Sequence, residues 1–298
     1  MNRTLLKKAE LKISERRLNA EDRARAFLEV ALKKQGFKDL YNKQKEEEMQ
    51  IAKQLALGET PNYNNLNTII KLQEAFLTGI KLNRTDIVPN YECKLCSDTG
   101  YKQGIPCECL KKEINKELLA FSGFLHKLAT FDENTSNHPA FPLMEKWCNT
   151  RSNKFNIVIA GNTGTGKTFL TECIASRLME KNRVVLFTTA FNLNNSMINY
   201  HNSSINPNRN EIIEPYLDTE VLIIDDLGSE PQYKNITKEY LYLILNERMQ
   251  SGKATIITTN LQMEDILTQY GERIFSRLVN KKTSICINID GQDKRLNG

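Results

Sequence analysis

The sequence has no apolar run that approaches the ~20 residues needed to cross a lipid bilayer. Its first residues, MNRTLLKKAELKISERR, lack the apolar core and the cleavage site of a secretory signal. It also has no internal repeat and no low-complexity tract, which excludes repeat architectures and compositionally biased proteins. We therefore expect a soluble, cytoplasmic protein that has no membrane partner.

The composition is that of a globular protein. Hydrophobic residues make up 40% and charged residues 26% of the 298 residues, which allows a packed core and roughly two domains of ordinary size. The net charge is +5, and the basic surplus lies in residues 1–125, whereas residues 126–298 are balanced. Such a surplus fits contact with nucleic acid or with an acidic protein, but it also fits an ordinary solvated surface. Charge alone therefore assigns no partner.

The first 80 residues have helical patterns. Asn19, with Asp22 as its partner in a capping box, predicts that a helix begins there, and Gly36 predicts its end. Two more helical runs follow before residue 80. A further helix is predicted behind the cysteine-rich stretch, where apolar residues recur at every fourth position: Leu110, Ile114 and Leu118.

From about residue 153 short β-rich runs alternate with helical ones. The runs are FNIVIA (155–160), VVLFTT (184–189), VLIID (221–225), ATIITT (254–259) and SICINI (284–289). Strands separated by helices predict βαβ units and a largely parallel sheet. The segment before the first strand is expected to form one amphipathic helix, which carries Phe141, Met144 and Cys148.

Residues 161–168, GNTGTGKT, match the phosphate-loop pattern G-x-x-x-x-G-K-[ST] between an apolar strand and an amphipathic helix. In this context the glycines let backbone N–H groups turn toward phosphate oxygens, and the helix N-terminus adds partial positive charge. Lys167 is expected to reach the β- and γ-phosphates of ATP, and Thr168 to ligate Mg²⁺. The predicted ATP-binding residues are Gly161, Asn162, Thr163, Gly164, Thr165, Gly166, Lys167 and Thr168. The alternative is a glycine-rich turn that binds no ligand.

A pair of carboxylates follows the apolar run VLII. Asp225 is expected to hold Mg²⁺, directly or through water, and Asp226 to polarise the attacking water. The alternative is a buried strand that meets a solvated turn. Asn260 follows ATIITT, so its amide is expected beside the phosphates, where it would orient that water, although asparagine after a strand is also a common turn residue.

Two arginines near the end of the chain, Arg273 and Arg277, are four residues apart in GERIFSRL and therefore share a helix face. Such a pair either stabilises a helix surface or contains an arginine finger. A finger would stabilise charge on the phosphoryl group transferred in the neighbouring subunit.

Four of the seven cysteines lie between residues 93 and 109. Cys93-x-x-Cys96 and Cys107-x-Cys109 have the spacing of two knuckles around a tetrahedral Zn²⁺. Because the cytoplasm is reducing, a metal is favoured over disulfides. Four protein ligands leave no open position for water, so the site is expected to be structural. Two disulfides or a redox-active pair of thiols are the alternatives.

Four segments, GNTGTGKT, VLIIDDLGSE, LILNERMQSGKATIITTNL and YGERIFSRL, occur in this order. Together they resemble the AAA+ ATPases of the DnaC/DnaI group of bacterial replicative-helicase loaders, to which the IstB transposition helpers are related. The resemblance covers residues 125–298. Besides the phosphate loop, it implies catalytic roles in Walker A, Walker B, sensor 1 and the arginine finger for Lys167, Asp225, Asp226, Asn260 and Arg277.

The resemblance also bears on two other arginines. It favours Arg277 over Arg273 as the finger. It implies that Arg295 is the sensor 2 arginine that contacts ATP, but Lys294 stands where the group usually has an aromatic residue. The implied fold is α/β: an AAA+ P-loop domain with a parallel sheet in residues 153–298, a linker and leading helix in residues 126–152, and a small, mainly helical zinc-binding domain in residues 1–125.

The resemblance implies an ATPase that self-assembles through its AAA+ domains, is activated by assembly and single-stranded DNA, and loads the replicative hexameric DNA helicase during replication initiation. The zinc-binding domain would contact the helicase. In loaders an element between the second and third strands faces DNA. Here its predicted DNA contacts are Phe191, Tyr200 and Arg209, and a polar surface excursion is the alternative. Two rival functions are an IstB-like transposition helper that binds duplex DNA and a nucleotide-binding scaffold without turnover.

Overall fold

The computed structural model describes residues 3–124, 126–150 and 156–291. The chain divides into two compact units: Leu11–Cys107, and Met1–Glu10 together with Glu108–Gly298. Within the described residues, none of the helices combines the length and the apolar character of a transmembrane span.

The first unit is mainly helical. Its elements are α1 (Arg3–Leu32), which begins in the other unit, α2 (Gln35–Ala56), α3 (Asn64–Gly79), β1 (Tyr101–Lys102) and β2 (Ile105–Pro106). The prediction that a helix begins at Asn19 is wrong, because Asn19 lies inside α1. Buried residues recur at helical spacing on both sides of it, at Ala9, Ile13, Ala24 and Ala31. A local capping signal does not interrupt a helix whose apolar stripe passes through it.

Gly36 does not end a helix, as the sequence suggested, but lies in the first turn of α2. A Cβ atom at this position would lie 3.0 Å from Cε2 of Phe76, which belongs to α3. The neighbouring Phe37 is fully buried, and its ring centroid lies 5.9 Å from that of Phe76. The glycine therefore allows α2 and α3 to approach each other closely.

The second unit is built on a five-stranded parallel sheet. Its strands are β3 (Asn156–Ala160), β4 (Val185–Thr189), β5 (Val221–Leu227), β6 (Ala254–Thr259) and β7 (Ser284–Asn288). Their spatial order is β4-β5-β6-β3-β7. The strands β3 and β6 are buried along their whole length, which explains their continuous apolar runs. The predicted parallel sheet and its five strands are confirmed.

Helices cover this sheet and connect its strands. They are α4 (Glu108–Phe121), α5 (Ala140–Asn149), α6 (Lys167–Glu180), α7 (Ala190–Asn202), α8 (Asn210–Asp218), α9 (Thr237–Gln250), α10 (Met263–Tyr270) and α11 (Glu272–Leu278). Helix α5 is the predicted leading helix. Its buried face joins the same apolar cluster as the sheet, through Phe141, Met144 and Cys148.

Helix α4 is fixed to the edge strand β4 by a buried amide. Nδ2 of Asn115 donates to the carbonyl oxygen of Arg183 at 2.8 Å, and Oδ1 accepts the N–H of Val185 at 2.9 Å. This contact satisfies backbone groups that an edge strand leaves unpaired. The compact units divide at residue 107, whereas the predicted boundary lies at residue 125. The functional division of the chain stays a prediction.

Candidate nucleotide site and cysteine cluster

The glycine-rich loop of residues 161–168 joins the end of β3 to the start of α6. Gly164 and Gly166 have φ angles of 77° and 96°, a region that favours glycine. At Gly161, whose φ is 151°, a Cβ atom would clash with the carbonyl oxygen of Ile289. The loop ends on the N-terminus of α6, where free N–H groups and the helix dipole favour phosphate.

Lys167, the first residue of α6, is held by three oxygen atoms. Its Nζ donates to the carbonyl oxygens of Gly161 at 2.9 Å and Asn162 at 2.7 Å. It also donates to Oδ1 of Asn260 at 2.5 Å. These contacts fix a mostly buried ammonium group beside the loop, where it can meet an anion.

The carboxylate of Asp225, near the end of β5, is held by two hydroxyl groups. Oδ2 accepts a hydrogen bond from Oγ1 of Thr168 at 2.9 Å, and Oδ1 accepts one from Oγ1 of Thr258 at 2.7 Å. Burial raises the pKa of Asp225 above its ordinary value, although both hydroxyls act to lower it. Because Thr168 and Asp225 offer adjacent oxygen ligands, they suit Mg²⁺.

A β-bulge between Ile224 and Leu227 turns the next carboxylate into the site. Asp226 lies in this bulge with a φ of 60°, which is uncommon for a residue other than glycine. Its N–H donates to Oγ1 of Thr258 at 2.7 Å, and its Oδ1 accepts from Nδ2 of Asn260 at 2.7 Å. Asn260 thus connects the carboxylate of Asp226 with the ammonium group of Lys167.

One cavity of about 770 Å³ collects these groups at the carboxyl ends of β3, β5 and β6. This volume is within the range of small-molecule sites. Of the predicted site residues, the cavity is lined by Thr163, Gly164, Gly166, Lys167, Thr168, Asp225, Asp226 and Asn260. The structure therefore brings the separate motifs of the sequence together around one space.

Several residues that line this cavity were not predicted from the sequence. Thr258 was treated only as part of a strand, yet its hydroxyl contacts both aspartates. Since side chains alternate along a strand, its position two residues before Asn260 could have indicated the same face. Residues 133–135 and Phe141 also line the cavity, from the segment that precedes β3. No local signal in the sequence points to them.

The predicted arginines have different outcomes. Arg273 and Arg277 lie on α11, and neither is among the described residues that line the cavity. This location fits an arginine that would act on a neighbouring subunit. Arg295 lies outside the described residues.

The three predicted DNA contacts lie at two places. Phe191, in the first turn of α7, lines the nucleotide cavity and is 48% exposed. Tyr200 lies near the other end of α7, where the guanidinium of Arg209 stacks 4.0 Å above its ring centroid. Nε of Arg209 also donates to the carbonyl oxygen of Tyr200 at 2.8 Å. Tyr200 and Arg209 therefore form one unit, separate from Phe191.

The four clustered cysteines converge as predicted from their spacing. Their sulfur atoms all lie within 4.8 Å of one another, and Sγ of Cys93 lies 3.7 Å from Sγ of Cys107. Zn–S bonds of ~2.3 Å in a tetrahedron give sulfur separations of about 3.8 Å. None of the seven cysteines, all of which lie within the described residues, forms a disulfide, which would require a sulfur separation of ~2.05 Å. The arrangement therefore suits a tetrahedral metal ion.

Asp98 organises the first cysteine knuckle, a role that the sequence did not reveal. Its carboxylate accepts the N–H groups of Cys93 at 2.9 Å and Glu92 at 2.8 Å, and Nη2 of Arg16 at 2.6 Å. Burial acts to raise the pKa of Asp98, but these donors outweigh it, and the pKa lies below its ordinary value. The knuckle is thus shaped by an ionised carboxylate that binds the backbone N–H groups at its start.

Comparison with known proteins matches residues 145–296 to the family of IstB-like ATP binding proteins, about half of the chain. The chain belongs to this family. The replicative helicase loader DnaC of Escherichia coli (strain K12) is 24% identical over 144 residues. That match covers 48% of this chain and 58% of DnaC, so the chain spans little more than half the length of such curated relatives.

Two solved structures also resemble part of this chain. A crystal structure of DnaI has a TM-score of 0.45 at 22% identity, and the match covers 56% of this chain and 90% of the crystallised chain. A crystal structure of the DnaC helicase loader has a TM-score of 0.46 at 22% identity and covers 53% of this chain and 96% of that one.

The family match and the DnaC relative confirm the predicted resemblance to AAA+ ATPases of the DnaC/DnaI group with their IstB relatives. Membership of this IstB-like family supports ATP binding, and ATP hydrolysis in general. The roles of individual residues stay predictions.

Proposed function

We propose that this protein is an ATPase that loads the replicative DNA helicase onto single-stranded DNA during replication initiation. The observation that carries the proposal is the convergence of Lys167, Thr168, Asp225, Asp226 and Asn260 on one cavity. Among AAA+ activities, the similarity to a protein named replicative helicase loader supports loading.

In this proposal the loop of residues 161–168 wraps the triphosphate of ATP, and Lys167 contacts the β- and γ-phosphates. Thr168 and Asp225 would hold Mg²⁺, and the charge of the metal would offset that of the phosphate oxygens. Asp226 accepts a proton from water as the water oxygen attacks the γ-phosphorus and ADP leaves. Asn260 fixes the carboxylate of Asp226 through its Nδ2, so the orientation of the base depends on the amide.

Hydrolysis further requires a second copy of the chain. Arg277 is proposed to contact the γ-phosphate held by the neighbouring subunit, because it does not line the cavity of its own chain. ATP turnover would consequently rise with assembly, and single-stranded DNA would promote assembly. Stacked Arg209 and Tyr200 offer DNA a cationic group and an aromatic platform. The position of Phe191 beside the phosphate loop favours a contact with ATP.

The cysteine cluster is proposed to hold one structural Zn²⁺ in a helicase-binding region within residues 1–125. A small helical region has little core, so a bound metal would add folding free energy. We expect about one zinc ion per chain by elemental analysis of the full-length protein. Replacing Cys93 and Cys96 by serine should release the metal and abolish copurification with the helicase, while ATP binding persists. Full helicase binding by this variant would contradict the proposed role.

The central experiment combines the protein with the host's replicative helicase, ATP and forked DNA. We expect unwinding to depend on the protein and to be lost with Lys167→Ala, which should also lose ATP binding. An Asp226→Asn variant should bind ATP without hydrolysing it. Unwinding that needs no added protein, or an Asp226→Asn variant that hydrolyses ATP normally, would oppose the proposal. A wild-type protein that binds ATP without hydrolysing it would favour a nucleotide-binding scaffold.

The family match favours one second candidate, a transposition helper of the IstB kind. The two functions differ in their DNA and protein partners. A helper should prefer duplex DNA and make no contact with the helicase, whereas a loader should prefer single strands. Fluorescence anisotropy with matched single-stranded and duplex oligonucleotides separates them.

A further inference from the structure

The side chain of Arg277 is held almost completely by its own chain. Nε and Nη2 donate to Oδ1 of Asn246 at 3.1 and 2.8 Å, and Nη2 also donates to the hydroxyl oxygen of Tyr242 at 2.9 Å. Nη1 donates to the carbonyl oxygen of Arg273 at 2.8 Å. The guanidinium also lies 4.3 Å from the ring centroid of Tyr242. A free arginine side chain loses rotamer entropy on being ordered, and here that cost is largely met before any ligand binds.

All of these partners are uncharged. Elsewhere, partly exposed arginines pair with carboxylates: Arg16 with Glu92 and Asp98, Arg17 with Glu21, Arg177 with Glu145 and Glu180, and Arg183 with Glu220. No ion pair within residues 3–124, 126–150 and 156–291 includes Arg277. Its charge is therefore oriented by neutral oxygen atoms and a π face, and it is not compensated by an acidic side chain.

The groups that hold Arg277 are themselves fixed. Tyr242 and Asn246 are four residues apart on α9 and so share a helix face. The main chain of Arg277 is tied to the sheet, because Nδ2 of the buried Asn156 at the start of β3 donates to its carbonyl oxygen at 3.1 Å. Arg277 is only partly buried, so its charged group can meet an anion brought by another molecule.

We infer that Tyr242 and Asn246 are positioning residues that present the uncompensated charge of Arg277 to the triphosphate bound by a second copy of this chain. The inference rests on the proposed ATPase function and adds two residues to it. A neutral amide is required at position 246 because a carboxylate would hold the guanidinium equally well but neutralise it. Orientation and charge can therefore be tested separately.

The decisive variant is Asn246→Asp, which keeps the shape of the side chain and strengthens the hold on Arg277. We expect assembly-dependent ATP turnover to fall at least tenfold, toward the ~10³-fold or larger effect of removing an arginine finger. The Kd for ATP should stay within about twofold of the wild-type value, because Arg277 does not contact the nucleotide of its own chain. Tyr242→Phe, which keeps the ring but loses the hydroxyl, should reduce turnover only a few-fold. Gln250→Glu, an equal charge change at the exposed end of α9, should leave turnover unchanged.

Subunit mixing distinguishes positioning from structural damage. Lys167→Ala chains cannot use their own nucleotide site but carry an intact Arg277, whereas Asn246→Asp chains have the reverse defect. Mixed at equal concentration, they should regain turnover that neither variant shows alone. Turnover of Asn246→Asp equal to wild type, or a mixture that regains nothing while wild type is active, would overturn the inference. A wild-type protein that neither binds nor hydrolyses ATP would instead refute the proposed function.

Discussion

Replacing Thr258 by valine should disable the proposed magnesium site without changing its shape. The hydroxyl of Thr258 donates to Oδ1 of Asp225 and accepts the N–H of Asp226, both at 2.7 Å. A hydrogen bond to a charged group contributes ~1.5–3 kcal/mol, and a buried N–H left unsatisfied costs ~1–3 kcal/mol. We therefore expect Thr258→Val to lower the free energy of unfolding by about 3 kcal/mol or more, measured by urea denaturation.

The same change should alter the pH dependence. Burial raises the pKa of Asp225, and the hydroxyl of Thr258 opposes that rise, so its removal should raise the pKa further. Because Mg²⁺ needs the ionised carboxylate, ATP turnover by Thr258→Val should fail at a higher pH than wild-type turnover as the pH is lowered. The hydroxyl of Thr258 stabilises ionised Asp225 more than protonated Asp225. The difference in unfolding free energy between wild type and Thr258→Val should therefore narrow toward low pH and widen as Asp225 ionises.

Thr258→Ser is the matched control, because it keeps the hydroxyl and loses only a methyl group, worth about 0.8 kcal/mol. It should retain near-normal turnover and the wild-type dependence on Mg²⁺ concentration. If Thr258→Val and Thr258→Ser unfold at the same urea concentration and require the same Mg²⁺, the two hydrogen bonds do not organise the site and the reasoning fails.

Three further predictions concern other parts of the second unit. Arg248 is fully buried and donates hydrogen bonds to five carbonyl oxygens and to the hydroxyl of Thr255. Burial lowers its pKa to about 9, so the guanidinium stays charged at neutral pH. We expect Arg248→Met to lower the free energy of unfolding by ~3–5 kcal/mol, measured by urea denaturation. Gly161→Ala should weaken ATP binding at least tenfold by calorimetry, because its Cβ atom would displace the phosphate loop; unchanged affinity would contradict this. Burial raises the pKa of the Cys148 and Cys173 thiols to about 12. In the native protein, iodoacetamide at pH 8 should therefore modify the exposed Cys286 but not these two cysteines, which should react only after unfolding. Mass spectrometry of the labelled protein measures this difference.

The sheet could be predicted from the sequence because its strands are buried on both faces. Burial on both sides requires a continuous apolar run, and each such run stands out between polar helical segments. The glycine-rich loop could also be predicted. Gly161, Gly164 and Gly166 have positive φ angles that favour glycine, and a Cβ atom at Gly161 would clash with the backbone of Ile289. Both features leave a signal within a short segment of the sequence, although the clash that restricts Gly161 is with the distant Ile289.

Features that depend on distant partners could not be predicted. Asn115 lies on a helix face that is otherwise apolar. The role of its amide becomes clear only from its hydrogen bonds to the backbone at the edge strand β4. In the sequence Gly36 suggests the end of a helix, whereas in the structure it leaves room for the ring of Phe76. Asp98 lies between cysteines that attract attention as ligands, while its own role depends on Arg16, 82 residues earlier. In each case the residue type is compatible with several local roles, and a contact far along the chain decides among them.

Strand β6 shows the same limit inside the candidate site. Its threonines look alike in the sequence, since each is β-branched and suits a strand. In the structure the hydroxyl of Thr255 accepts from buried Arg248, that of Thr258 holds Asp225 and Asp226, and that of Thr259 donates to the carbonyl oxygen of Leu227. The hydroxyls of Thr258 and Thr259 therefore fix β6 to the carboxyl end of β5, whereas that of Thr255 fixes β6 to α9. The positions of the two carboxylates depend on this neighbouring strand as much as on the aspartates themselves, so a search for acidic residues alone finds the candidate catalytic groups but not what orients them.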